Sequence, residues 1–445
     1  MRLRLLVSSC LYAAVCLGSA AHAADATRPN IILIFSDDYG IPGVGSYGSR
    51  YATPNLDALA KGGIRFEHCF SMPLCGPSRA VTLSGRYPFR NGVVSNGHGT
   101  AYKPGDSPSI AKLLQQSGYA TAVAGKWRQL QYFDTVEDSK AWGFDEFIVW
   151  GFGDEGKGER YWQPSYNKNG TFLTNVDDKY GPDLLHEFVV DFIRKNQKGP
   201  FFVYYPTPLV HGPIMHTPDS PNKDGKGDQH YAENVAYLDK LVGKLVAELE
   251  QQGLRKNTLI VFTGDNGSVG GEERLTMANG RRLIGQKGTM KEGGSRVPLI
   301  VNWPGVTPAG KVLPDLVDFS DFYVTFAEVA GARLPEGLKL DGRSFAPQIR
   351  GEKGQPREFA FVQLHDEWYA RNQQWKLTQA GDLFSMKDAP FDEIAVAKDS
   401  PDAAAKAART QLQAALDELN PAGGKTAVKG EKSKKKAKKK AKAAA

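Results

Sequence analysis

The chain has 445 residues, with 56 Lys+Arg against 49 Asp+Glu and a net charge of +7. That length supports a sizeable core and about two to three domains. Four cysteines exclude a disulfide-stapled scaffold, and an apolar fraction of 41% excludes disorder over the whole chain.

A basic balance points to nucleic acid or another anionic partner only if the charge lies on the folded body. Here it lies at the ends. Arg2 and Arg4 give residues 1–23 a charge of +2, and ten Lys against Glu431 give residues 425–445 a charge of +9, which leaves residues 24–424 at −4. Nucleic acid is therefore not an expected partner.

Residues 1–23 combine a charged start, an apolar stretch from Leu5 to Leu17 and an Ala21-His22-Ala23 site. This reads as an export signal cleaved before Ala24 and too short to span a bilayer. Periplasmic or secreted location is expected. Cleavage would remove Cys10 and Cys16, leaving Cys69 and Cys75. In an oxidising compartment one disulfide between them competes with a chemical role for Cys75.

Along the body, Ile31–Phe35 is an apolar run fit for a buried strand, and Thr53-Pro54 opens a helix that stops at Gly62-Gly63. Ser107-Pro108 opens another that ends near Gly118, and Tyr119–Ala124 follows as a strand. Phe201–Tyr205 and Leu259–Phe262 are strands, and between them Ala232–Leu249 carries Val235, Leu238, Leu241, Val242, Leu245, Val246 and Leu249 on one helix face. The alternation predicts an α/β fold with a large, mostly parallel sheet flanked by helices. After residue 355, Phe359–Leu364, Trp368–Arg371 and Trp375–Leu377 read as short antiparallel strands, and 402–419 as an Ala-rich helix. The expected organisation is a catalytic domain over 24–355, a smaller antiparallel subdomain over 356–424 and a solvated Lys/Ala tail over 425–445 that can meet anionic polymers by charge.

In open α/β sheets, sites form beyond the carboxyl ends of strands. Asp37-Asp38 follow the first strand, Asp265-Asn266 follow Leu259–Phe262, His211 follows Phe201–Tyr205, and Gly125-Lys126 follow Tyr119–Ala124. Three carboxylates and an amide oxygen suit a hard cation such as Ca²⁺ or Mg²⁺. Taken singly, Asp-Asp-Tyr-Gly and Asp-Asn-Gly are also ordinary turns.

The run Cys75-Gly76-Pro77-Ser78-Arg79, continuing to Leu83 and Gly85-Arg86, resembles the modification signature of the formylglycine-dependent (type I) sulfatase family, within the alkaline phosphatase-like superfamily. Pro29-Asn30 with Ile31–Asp38, Thr263–Gly267 and Lys287-Gly288-Thr289 with Glu292–Gly294 and Arg296–Pro298 resemble further family segments in the same order, so the resemblance spans about residues 29–395. It implies that a formylglycine-generating or anaerobic sulfatase-maturating enzyme converts Cys75 to formylglycine, and that Asp37, Asp38, Asp265, Asn266 and the modified Cys75 bind the cation. It favours Ca²⁺ over Mg²⁺. It gives Arg79 a part in holding the nucleophile, Lys126 and Lys287 contacts to sulfate, and His211 the protonation of the leaving oxygen. Because a disulfide would block the modification, Cys69 becomes a structural thiol.

His216 is the rival of His211, and His98 lies close enough to the signature to line a pocket. The chain departs from the pattern at Arg128, where the family usually has His after Gly-Lys-Trp. Arginine stays protonated and cannot act as an ordinary base. Either His98 or Lys126 takes over, or Arg128 grips a further anion on the substrate, or turnover is impaired. The Asp154–Asp183 segment, with Tyr161, Trp162, Tyr166 and Tyr180, suggests a sulfated carbohydrate substrate. The rival functions are a phosphonate or phosphate ester hydrolase of the same superfamily and a non-catalytic binder of sulfated glycans.

Overall fold

The structure is a computed structural model that describes residues 28–127, 130–132, 135–150, 159–174, 176–225 and 227–424. The expected export signal, the Lys/Ala tail and Arg128 lie outside the described residues.

Ten strands build the main sheet: β1 (Asn30–Ser36), β2 (Ile64–Phe70), β3 (Ala120–Lys126), β4 (Glu146–Trp150), β5 (Tyr166–Lys168), β6 (Thr171–Leu173), β7 (Phe201–Tyr205), β8 (Thr258–Gly264), β9 (Arg296–Asn302) and β10 (Lys311–Asp318). Their order is β10-β2-β9-β8-β1-β7-β3-β4-β5-β6. The central run β8-β1-β7-β3-β4 is parallel throughout, while β9, β5 and β6 pair antiparallel with their neighbours.

β1 is apolar without alternation because both of its faces are covered. Ile31, Leu33 and Phe35 join a core with Val81 and Leu83 of the helix Cys75–Ser84, Leu113 of the helix Ile110–Gln116, and Phe322 of the helix Asp321–Ala330. Ile32 and Ile34 join a core on the other face with Leu56 of the helix Pro54–Lys61, Leu185 of the helix Gly181–Lys195, and Leu238 of the helix Tyr231–Gln251. The helix read from Ser107-Pro108 starts later, at Ile110, because Ser109 caps it by accepting from the Lys112 amide at 3.0 Å. The strand read as Tyr119–Ala124 runs on to Lys126, so that lysine closes the strand.

A second, antiparallel sheet follows, with β11 (Ala360–Leu364), β12 (Glu367–Arg371), β13 (Trp375–Thr378), β14 (Leu383–Ser385) and β15 (Ile394–Val396) in chain order. Leu412 and Leu416 of the helix Ala403–Leu419 pack on Phe361, Leu377 and Leu383 of this sheet. Buried contacts tie it to the main body: Arg371 pairs with Glu292, and Lys376, paired with Glu393 at 2.8 Å, donates to Met290 O at 2.6 Å.

Tyr161, Trp162, Tyr166 and Tyr180 do not form an open sugar platform. Tyr161, Tyr166 and Tyr180 are buried, and Trp162 packs on Tyr180 at 5.0 Å and on His216 at 4.9 Å. Their apolar area goes into the fold.

Candidate active site

Strand order creates the site. β8, β1, β7 and β3 are consecutive and parallel, so their carboxyl ends open on one edge. Ser36 is in register with Gly264, which sets Asp37-Asp38 beside Asp265-Asn266. The Asp265 amide donates to Ser36 O at 2.8 Å, and the Asp38 amide to Asp265 Oδ1 at 2.9 Å. The Asp37 amide donates to Leu209 O at 3.0 Å and Val210 N donates to Asp37 O at 2.9 Å, which brings the His211 segment alongside. Asp38 holds a left-handed φ of 59°, uncommon for a residue with a Cβ.

Cys75 is the first residue of a helix buried along its whole length. Its Sγ lies 3.3 Å from Lys126 Nζ and 3.6 Å from Asp37 Oδ1. The Gly76 amide, one of the free donors of the helix start, donates to Asn96 Oδ1 at 2.8 Å. Arg79, one turn on, donates to Asp265 Oδ2 at 2.8 Å and to the Tyr204 hydroxyl at 3.4 Å. Lys126 Nζ sits 2.6 Å from Asp37 Oδ2, and Lys287 Nζ 2.5 Å from Asp38 Oδ1. His211 Nε2 lies 3.7 Å from Asp38 Oδ2, with Arg160 Nη1 3.0 Å from its Nδ1. Ligand atoms of Asp37, Asp38, Cys75 and His211 all fall within 4.8 Å of one another.

The electrostatics follow from burying this many charges together. Burial works to raise the Asp37 pKa, but His211, Lys126, Arg79 and Lys287 hold it well below its usual value. Burial and the Asp37 charge raise Asp38, and the same two causes push Asp265 up to about 6. Burial, with the neighbouring cations, lowers His211 to about 4, so its imidazole is neutral at pH 7 before substrate arrives.

Three buried carboxylates held close together call for positive charge, part of which the two lysines and Arg79 supply. The Asn266 side chain tests whether a metal ion also fits. Its Nδ2 donates to Asp38 Oδ1 at 2.8 Å and to Gly267 O at 2.9 Å, while its Oδ1 is buried with no hydrogen-bond partner among the described residues. An orphaned carbonyl oxygen beside Asp37, Asp38 and Asp265 is an oxygen-rich donor set that fits a hard divalent cation.

The structure thus gathers Asp37, Asp38, Cys75, Arg79, Lys126, His211, Asp265, Asn266 and Lys287 in one centre. His216 is turned into the stack on Trp162, 6.2 Å from His230. His98 Nδ1 is 2.6 Å from Ser95 Oγ, in the segment that also carries Asn96. Cys69 and Cys75 are both free and buried. Asn96, Arg160 and Tyr204 went unseen in the sequence. Their roles come from contacts 20, 51 and 125 positions away in the chain, and no local motif marks them.

The family model described as Sulfatase matches residues 29–332. The chain belongs to the sulfatase family. It is a sulfuric ester hydrolase by that membership, and a second model, described as "N-sulphoglucosamine sulphohydrolase, C-terminal", matches residues 283–386. The chain is 33% identical over 374 residues to "Arylsulfatase A" of Bos taurus, covering 78% of this chain and 72% of the relative. Among solved structures it is similar to Ps i-CgsB in complex with k-i-k-neocarrahexaose, with 31% identity, a TM-score of 0.75, and coverage of 88% of this chain and 93% of that one. The fold is shared by BT4656 in complex with D-glucosamine-2-N,6-O-disulfate, at 22% identity, a TM-score of 0.74, and coverage of 90% of this sulfatase and 99% of that chain. No helix among the described residues is long and apolar enough to cross a membrane.

Proposed function

We propose that this sulfatase is exported, releases sulfate from a sulfated carbohydrate, and acts through a formylglycine made from Cys75 beside a divalent cation, Ca²⁺ by preference. The observation that carries the reading is the convergence of Cys75, Lys126, Asp37 and the orphaned Asn266 Oδ1 at one strand edge. The carbohydrate reading takes its support from the glycan named with Ps i-CgsB. The proposed division is a catalytic domain over 24–355, a C-terminal subdomain over 356–424, and a Lys-rich tail that would add charge attraction to an anionic polymer.

Asp37, Asp38, Asp265 and Asn266 would hold the cation, with residue 75 as a further ligand. A formylglycine at position 75 would supply a hydrated-aldehyde oxygen nucleophile, and the cation would polarise the ester oxygens. The chain's own residues do the rest. Lys126 reaches the residue-75 side chain and Asp37 together, so it can orient the attacking group and neutralise sulfate charge. Lys287, 14% exposed, presents a second cation from the open side. His211, 26% exposed, has its Nε2 toward this centre. An arriving anionic ester raises the imidazole's proton affinity, which suits it to deliver a proton to the leaving oxygen. Arg160 fixes the ring from behind by contacting Nδ1 and donating to Gly212 O at 2.6 Å.

Parallel assays of aryl sulfate, aryl phosphate and phosphonate esters, and a sulfated oligosaccharide test the reading. Sulfate release from the sulfate esters in preference to the phosphorus esters is expected. Faster cleavage of the phosphorus esters, or glycan binding without sulfate release, would contradict it.

A further inference from the structure

The helix that presents residue 75 has no cap of its own. Leu74 stands at the cap position and makes no side-chain cap hydrogen bond, and Pro77 in the first turn has no amide to offer. The Ser78 amide closes back on Leu74 O at 3.2 Å. The Gly76 amide is capped from a distance: Asn96 Oδ1, 20 positions on, accepts it at 2.8 Å. Asn96 is an exposed residue that opens the short helical turn Asn96–Ala101. A surface amide has water for its hydrogen bonds, so a bond turned inward to a helix start needs a fixed segment behind it. That segment is fixed. Val94 O accepts the His365 amide at 2.8 Å, the Val93 amide donates to Asn91 Oδ1 at 2.8 Å, and the His98 amide donates to Ser95 O at 3.1 Å.

The consequence falls on residue 75. The peptide that Asn96 grips is the one joining Cys75 to Gly76, so its orientation and the aim of the residue-75 side chain are coupled. That side chain has to meet Lys126 Nζ, 3.3 Å from Sγ, and Asp37 Oδ1, 3.6 Å from Sγ. The identity of the cap matters as well. Asn and Asp cap about equally well, and a carboxylate would gain further from the helix dipole. Bond lengths, however, keep the capping oxygen within about 8 Å of the residue-75 side chain. A carboxylate there would repel an anionic ester. A neutral amide satisfies the helix start without that repulsion.

We infer that Asn96 is a positioning residue for the nucleophile. Its amide caps the helix start in place of Leu74, holds the Cys75–Gly76 peptide in the orientation that aims residue 75, and adds no negative charge beside the sulfate. The inference rests on the sulfatase reading above.

The test uses the mature protein carrying formylglycine. Rates on an aryl sulfate are expressed per aldehyde titrated with a carbonyl reagent, and melting curves establish that the variants are folded. Asn96→Ala removes the cap. Its kcat per aldehyde should fall by about tenfold with KM changed by less than about twofold, because the nucleophile loses its aim while the sulfate contacts stay. Asn96→Asp keeps the cap and adds the charge. It should melt at or above the wild-type temperature and raise KM by about tenfold at low salt, an increase that shrinks as salt screens the charge. A part in stability alone predicts otherwise: a lower melting temperature for Asn96→Ala with wild-type kcat per aldehyde, and wild-type kinetics for Asn96→Asp. Either of those kinetic results in a folded variant would overturn the inference. Absence of sulfate release by wild type would instead remove the function proposed for the centre.

Discussion

Cys75 is a poor nucleophile as it is encoded. Burial pushes its thiol up, with Asp265 and Asp37 adding to the effect against Lys126, which disfavours the nucleophilic thiolate. The surroundings suit a different electrophile-derived oxygen beside a cation, which is what the resemblance to the signature implies. The residue-scale prediction concerns His211. If it protonates the leaving oxygen, His211→Ala should lower kcat on a sugar sulfate by about 10²–10⁴-fold. The loss should be much smaller on an aryl sulfate whose phenol leaves readily without a proton. A uniform loss across leaving groups would contradict the role. At this scale Asp37, Asp38, Asp265, Asn266, Lys126 and His211 were legible because each stands just after a buried apolar run. Of His211 and His216, the geometry places His211 in the cluster of ligand atoms, while His216 stacks on Trp162. Arg160 and Asn96 were not legible, since their partners are set by loop paths that no periodicity encodes.

Elements differed in how openly the sequence shows them. β1, β7 and β8 are unbroken apolar runs, and Tyr231–Gln251 shows a clear helical stripe. β2 was missed because Arg65, Glu67 and His68 interrupt its apolar residues, and β10 because its first half is mostly exposed. The helix Asp321–Ala330 is rich in aromatic and β-branched residues and nearly all buried, so it carries no polar face to mark its period. Among elements, the junction of the two sheets has the most to lose. Arg371 on β12 is fully buried, pairs with Glu292 and lies over the Phe70 ring at 4.6 Å. Glu292 follows Lys287 by five residues, so the pair also braces the segment that carries this lysine. Arg371→Met leaves Glu292 with Arg296, at 3.3 Å, as its ion-pair partner among the described residues, and should cost about 3 kcal/mol in unfolding free energy, with a fall in kcat. A loss under about 1 kcal/mol by chemical denaturation would show that Arg296 alone satisfies Glu292.

On the scale of the molecule, the positive net charge of the chain describes its ends, and the body that carries the site is mildly acidic. Acid sensitivity is one property of that body that can be measured. His186, on the Gly181–Lys195 helix, is 9% exposed, and burial together with Lys244 lowers its pKa to about 4. The unfolded chain takes up this proton near pH 6.5 and the folded one only near pH 4. Its contribution to stability is therefore present above pH 6.5 and is lost as pH falls toward 4. The loss is at most about 3 kcal/mol, and His186→Gln should flatten the stability profile over that window. Equal slopes in the two proteins would contradict the assigned shift.

The account turns on what residue 75 becomes. Mass spectrometry of the peptide that holds residue 75, from protein made in its native host, tests this most directly. The account predicts an aldehyde in place of the thiol, trapped by a carbonyl reagent. An unmodified thiol, or a disulfide between Cys69 and Cys75, would contradict it.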